Sequence, residues 1–369
     1  MQFQREPKSG KGYPHFAHWP DLDCDGNVYV SGYGFIHLDP QDIERAEIKR
    51  SASIAGVIML MLLLLPSLLY IPAQLFVTRI AGWLPLDSPQ QLVEWNAVLT
   101  QVRTDIWRYG SFLIPIFFLI GTGGRDVRQR SNTAFPPVTA ALGILCCLGL
   151  SALAVSARVW LNDVLYNVNL VEVNSQTPPT VPAAQVIYLI RTAVIGVILE
   201  EILIRGLLLR VFRKHSDAFA LMMTAIVSGL TCGNLTEGLS CALMALMYGY
   251  MTLRTGSILV STISHFLCVL WPELLNIYFA GNQLAQITVV LLLITIGLIA
   301  FSIICLKDGN AFILSSRTMD YARLSGHVNR PRSQFTFRKK LMISLTSAFF
   351  SASAVLWIIQ ALQKMMIVS

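Results

Sequence analysis

The chain has 369 residues, 54% hydrophobic and 13% charged, with a mean hydropathy of +0.59. A soluble domain carries about 25% charged residues, so the composition excludes an ordinary water-soluble globule. It predicts an all-α, polytopic membrane helix bundle. The net charge of +7 does not indicate nucleic acid, because Lys and Arg gather in loops between apolar runs, as they do in cytoplasmic loops of membrane proteins.

Residues 1–50 read as a small polar cytoplasmic segment. The first apolar run starts at Ala52, too late for a cleavable signal peptide. Asp21-Leu22-Asp23-Cys24-Asp25-Gly26-Asn27 looks like the start of a calcium loop, but its twelfth position is Gly32 where a bidentate Glu is needed. A turn with Asx-type bonds is expected there, with weak cation binding as the alternative. Val28 to Gly34 suggests a hairpin arm. Asp39 to Arg50 predicts a helix entering the membrane, with Asp39 as N-cap and Pro40 at its first position.

Apolar runs follow near 52–76, 106–123, 136–158, 185–209, 217–235, 238–253, 256–278, 283–306 and 341–362. They predict about eight to nine transmembrane helices, since a span needs ~20 apolar residues and two of the runs are short. The division is three helices in 51–160, an extracytoplasmic loop at 161–184, a core at 185–278, and C-terminal helices with a basic loop at 307–340 in 279–369. Arg45, Lys49 and Arg50 precede the first run. Arg125, Arg128 and Arg130 follow the second, Arg210, Arg213 and Lys214 the fourth, and Arg254 the sixth. These fall on one side if the N-terminus is cytoplasmic, which places the chain in the cell membrane with its N-terminus inside and its C-terminus outside if the ninth run spans. The loop at 77–105 carries only Arg79 and Arg103. The 308–340 stretch reads as a solvated loop drawn to anionic headgroups, or else a docking segment. The seven cysteines have no CxxC pair, and all but Cys24 lie in apolar runs. They read as small hydrophobes.

One run departs from this apolar pattern: Ile198-Leu199-Glu200-Glu201-Ile202-Leu203-Ile204-Arg205. A charge near the bilayer centre costs about 2.5–3.5 kcal/mol on insertion scales, so an intramembrane ionisable residue is read first as functional. On a helix, Glu201 and Arg205 share a face and can pair. Glu200 is rotated ~100° away and stays available as a general base for water. Snorkelling at a helix end would suit Arg205. Glu200, however, is roughly 15 Å from the basic edge at Arg210, too deep for a short side chain. His265 in Ser261-Thr262-Ile263-Ser264-His265-Phe266 lies at a similar depth, counted from Arg254. No HExxH is present, and Glu200 with His265 are too few ligands for a catalytic zinc, which takes three. No metal or other cofactor is predicted.

Glu200-Glu201-x-x-x-Arg205-Gly206, then Tyr248-Gly249-Tyr250-Met251-Thr252-Leu253-Arg254-Thr255-Gly256-Ser257, then Ser264-His265, resembles the CAAX protease and bacteriocin-processing (CPBP, or Abi) family of membrane-embedded endopeptidases. The resemblance covers about 185–275. It implies a water-activating Glu with Arg support in EExxxR, a water-holding residue in FxxxH, and oxyanion donors in HxxxN or HxxxD. The first motif is intact at Glu200, Glu201 and Arg205. The second aligns with Leu230-Thr231-Cys232-Gly233-Asn234, so Leu replaces Phe and Asn234 replaces His. The third starts at His265 and ends at Val269. Asn234 can orient water but cannot take up a proton near neutral pH, and Val269 offers no hydrogen bond.

Three readings follow. One is an endopeptidase acting on a membrane-associated peptide or protein, with Glu200 as base, Glu201 and Arg205 as structural pair, Asn234 holding water and His265 at the oxyanion. The second is an inactive member that binds such a chain as a membrane or immunity-type scaffold. The third is a small-molecule carrier, although no internal repeat is visible. The sequence leaves open the substrate, any role of prenylated proteins and the oligomeric state.

Overall fold

The computed structural model describes residues 27–30, 34–37, 40–84, 88–121, 137–172, 178–307 and 335–367. Strands β1 (Asn27–Val30) and β2 (Gly34–His37) pair antiparallel, the hairpin arm expected there. The calcium-like run Asp21–Gly26 and the loop 308–334 lie outside the described residues.

Helix α1 (Pro40–Ala81) starts at the expected proline and runs 42 residues. Ile48, Ala52, Ala55, Met59 and Leu62 are buried along it, a stripe at helical spacing that fixes its inner face. Beyond it Leu64, Leu68, Ile71, Leu75 and Phe76 are exposed, as suits a helix facing lipid. Helix α2 (Pro89–Gly121) packs along α1, and Arg103 Nη1 donates to Gln74 Oε1 at 2.6 Å. The expected loop at 77–105 is therefore mostly helical: both helices continue past their apolar runs as a packed pair.

Helix α3 (Pro137–Asn167) and strand β3 (Leu170–Glu172) lead to α4, the helical run 182–213. Then follow α5 (Asp217–Thr231), α6 (Leu235–Thr255), α7 (Ile258–Tyr278), α8 (Gln283–Lys307), α9 (Phe337–Leu345), α10 (Ala348–Gln363) and β4 (Met365–Ile367). The main core joins α1, α4, α5 and α10 through residues such as Ile58, Leu208, Phe212, Phe219 and Phe350. Gly256 closes α6 at φ 65°, and its N–H donates to Thr252 O. Only glycine adopts this left-handed cap without strain. Ser257 then caps α7, its hydroxyl accepting from Leu259 N. The Thr255-Gly256-Ser257 run is thus a helix stop followed by a helix start.

Contacts bring three segments to one end of the bundle. Lys340 Nζ donates to His215 O at 2.9 Å and pairs with Glu44 at 3.3 Å, while Ser51 Oγ meets His215 Nε2 at 3.0 Å. Lys340 was expected in a solvated loop; it is buried because α9 carries it against α1 and the α4–α5 turn. At another end β3 pairs antiparallel with β4. Glu172 of β3 accepts from the backbone N–H of Leu235 and from the Thr236 hydroxyl at the start of α6.

The chain is all-α apart from these short strands, with several helices apolar enough to make it a multi-pass membrane protein. Among the described residues four helices are long and apolar enough to cross a membrane, and five if a bent pair counts as one broken span. The other runs fall short for readable reasons. Helix α4 holds Arg191, Glu200, Glu201 and Arg205; α5 has 15 residues; Asp105 and Arg108 interrupt α2. The ninth run, 341–362, is not one straight helix: α9 and α10 meet at a 73° bend. Of the described cysteines, Cys146, Cys147 and Cys268 are buried as expected, whereas Cys305 is exposed.

Candidate active site

Helix α4 does not keep one helical form. Pro182–Leu189 is α-helical, Ile190–Ile195 π-helical, Gly196–Glu201 α-helical, Ile202–Leu208 π-helical and Leu209–Arg213 α-helical again. A π turn bonds i to i+5 and so holds an extra residue; such turns recur at functional sites. Here one lies immediately after Glu201, between it and the last helical turn.

The Glu201 carboxylate is fully buried and ringed by donors. Its Oε1 lies 3.0 Å from Arg205 Nη1 and 2.9 Å from His265 Nδ1; its Oε2 accepts from Ser261 Oγ at 2.8 Å. Salt-bridge energy in a low-dielectric site offsets desolvation only when hydrogen bonds satisfy the remaining lone pairs; at Glu201 those come from His265 and Ser261, beside the charge contact with Arg205. An ionised carboxylate only accepts, so Nδ1 carries the proton that His265 gives to Glu201. The other ring nitrogen, Nε2, has no hydrogen bond within the described residues. Tyr248 stacks on the imidazole with ring centres 4.6 Å apart and lies 5.3 Å from the Arg205 guanidinium, which fixes the ring plane.

Glu200 differs. Its side chain is 32% exposed, and its Oε1 lies 3.7 Å from Arg205 Nη1. The sequence placed Glu200 on a separate face from Arg205. In the widened turn the one guanidinium lies close to both carboxylates, nearer Glu201. Glu200 is the less buried of the two carboxylates.

Asn234 occupies the N-cap of α6 and is buried, but its side chain makes no cap bond. No hydrogen bond among the described residues joins it to Glu200, Arg205 or His265. Glu200 does lie within electrostatic reach of Cys232, two residues away. Val269 has no polar atom to add. The structure thus brings Glu200, Glu201, Arg205 and His265 together and does not join Asn234 to them by any hydrogen bond among the described residues. Sequence reasoning missed Ser261 and Tyr248. Ser261 stands four residues before His265, one turn away on the same face, and that spacing was a usable signal.

A second polar cluster on α4 was also missed. Arg191, 3% exposed, lies 3.3 Å from Asp105 and 3.4 Å from Gln101 O. Tyr188 donates to Glu273 at 2.9 Å. Among the described residues no three His, Cys, Asp or Glu side chains converge as a metal site would need.

A family model described as type II CAAX prenyl endopeptidase Rce1-like matches residues 182–271. The match spans α4 to the middle of α7, about a quarter of the chain, and contains every residue of the Glu201 cluster. No curated protein and no solved structure matches the chain.

Proposed function

We propose that the chain is an intramembrane endopeptidase of the CPBP type, which hydrolyses a peptide bond of a membrane-associated substrate. The observation that carries this reading is the Glu201–Arg205–His265–Ser261 assembly. It joins two segments of the matched region some sixty residues apart and leaves Glu200 beside them with its side chain 32% exposed. Glu200 takes a proton from water, which attacks the scissile carbonyl. Glu201 and Arg205 hold the helix and the imidazole. His265 faces the developing oxyanion and donates to it from Nε2 when both ring nitrogens carry protons, and Asn234 orients the water. Eight to nine membrane crossings, a cytoplasmic N-terminus and the cell membrane as location belong to the same proposal. They draw support from the basic loops and from the two sets of end contacts.

Loss of a general base costs about 10²–10⁴-fold in rate. In purified protein reconstituted into vesicles, Glu200→Ala is expected to lose cleavage of a peptide library by that factor while melting as wild type does. Undiminished cleavage would refute the assignment. A second reading, a binding scaffold that cuts nothing, is favoured by the side chain of Asn234, which bonds to no cluster residue, and by Val269. It predicts peptides retained and released whole by wild type and Glu200→Ala alike.

A further inference from the structure

The C-terminal helix reaches the turn that replaces the family's second motif. Trp357 Nε1 of α10 donates to Cys232 O at 2.6 Å. Directly after α10, β4 pairs with β3, whose Glu172 holds the start of α6. Between these two anchors stands Lys364. A Cβ built on Gly233 would lie 2.2 Å from Lys364 Nζ and 3.5 Å from its Cε. The ammonium therefore rests directly on the Gly233 backbone, and the missing side chain is what makes room for it. Asn234 is the next residue.

A lysine at a helix end ordinarily turns its charge out to water. Lys364 is half-buried against the turn instead, and its side chain has no hydrogen bond or ion pair among the described residues. Carboxylates are close by: Glu200 and Glu237 both interact electrostatically with Cys232, the residue before Gly233. Neither closes an ion pair with Lys364. An ammonium seated on Gly233, next to Asn234, with no ion pair among the described residues, is a donor for an anion that arrives with the substrate.

We propose that Lys364, seated over Gly233, is the cation that receives the oxyanion of the reaction. The inference rests on the endopeptidase reading. As water adds to the scissile carbonyl carbon, the carbonyl π pair moves onto oxygen, and Lys364 donates an N–H to that oxygen. This supplies the donor that the third motif lacks at Val269, alongside Nε2 of His265, whose Nδ1 is held by Glu201. The C-terminal helix, outside the matched segment, then completes the site.

The test uses full-length protein in bilayer nanodiscs and a pooled library of peptidyl phosphonates, tetrahedral anions, with the matching neutral peptide amides. Wild type is expected to retain phosphonates over amides. Lys364→Met is expected to lose that preference about tenfold to a hundredfold, the range for one hydrogen bond to a charged group. Gly233→Ala displaces only the flexible end of Lys364, so it folds and shows the same loss. The double variant is no worse than either single one, because both remove one interaction. A wild type that does not prefer phosphonates, or a preference that survives Lys364→Met, overturns the proposal. Preference lost in Lys364→Met with no peptide cleaved by wild type keeps the anion site and rejects the endopeptidase.

Discussion

Helix α4 carries two buried arginine–carboxylate pairs, and they are built differently. At Glu201 two hydrogen bonds, from His265 and Ser261, and an ion pair with Arg205 converge on one carboxylate with no exposure to solvent, at 2.8 to 3.0 Å. At Arg191 the contact to Asp105 is 3.3 Å and Asp105 is 18% exposed. Neither guanidinium has every buried nitrogen hydrogen-bonded, so the difference lies in the carboxylates. The first is dry and engaged through both oxygens, and the second is partly solvated with a longer contact. The difference shows where the sequence holds geometry tightly: at the imidazole of His265 and the carboxylate beside Glu200.

Five variants, three single and two double, break or sharpen that contrast. Glu201→Leu has the largest expected effect, about 3–5 kcal/mol of lost stability, because Arg205 stays buried without its nearest carboxylate. Thermal unfolding in detergent measures it, and a loss under 1 kcal/mol would contradict the account. Arg191→Met is expected to cost about 1–3 kcal/mol, since the Asp105 it abandons is partly solvated. Ser261→Ala removes one of the three contacts and costs about 1 kcal/mol, with cleavage reduced as the Glu201 carboxylate gains freedom. Smallest is the double change Asp105→Leu with Arg191→Met, expected within about 1 kcal/mol of wild type because well-packed apolar pairs commonly match buried ion pairs. The corresponding Glu201→Leu with Arg205→Met stays destabilised, because His265 and Ser261 lose their acceptor. Equal stability of the two doubles would erase the distinction.

The cluster was legible where charge stood out against an apolar background. Glu200, Glu201, Arg205 and His265 were each visible as polar residues in apolar runs, and the structure brings the four side chains together. Pro40 and the Val28–Gly34 hairpin were also readable, because local chemistry decides them. What escaped depends on distant parts of the chain. Arg191 stood in an equally apolar run, but its partner Asp105 lies 86 residues earlier. The π turn after Glu201 leaves no mark in a pattern of apolar residues, so the closeness of Arg205 to Glu200 was not foreseen. The bend between α9 and α10 interrupts a run that composition alone presents as one span. Lys364 reads as an ordinary basic helix end until Gly233, 131 positions earlier in the chain, is seen beneath it.

The most direct test is a comparison of cells carrying wild type or Glu200→Ala, with new peptide termini of membrane proteins read by mass spectrometry. A set of termini present with wild type and absent with the folded, equally expressed variant is the predicted result, and it would name the substrate. Identical termini in both would contradict the assignment of Glu200 as the base and turn the search towards proteins that this chain binds uncut.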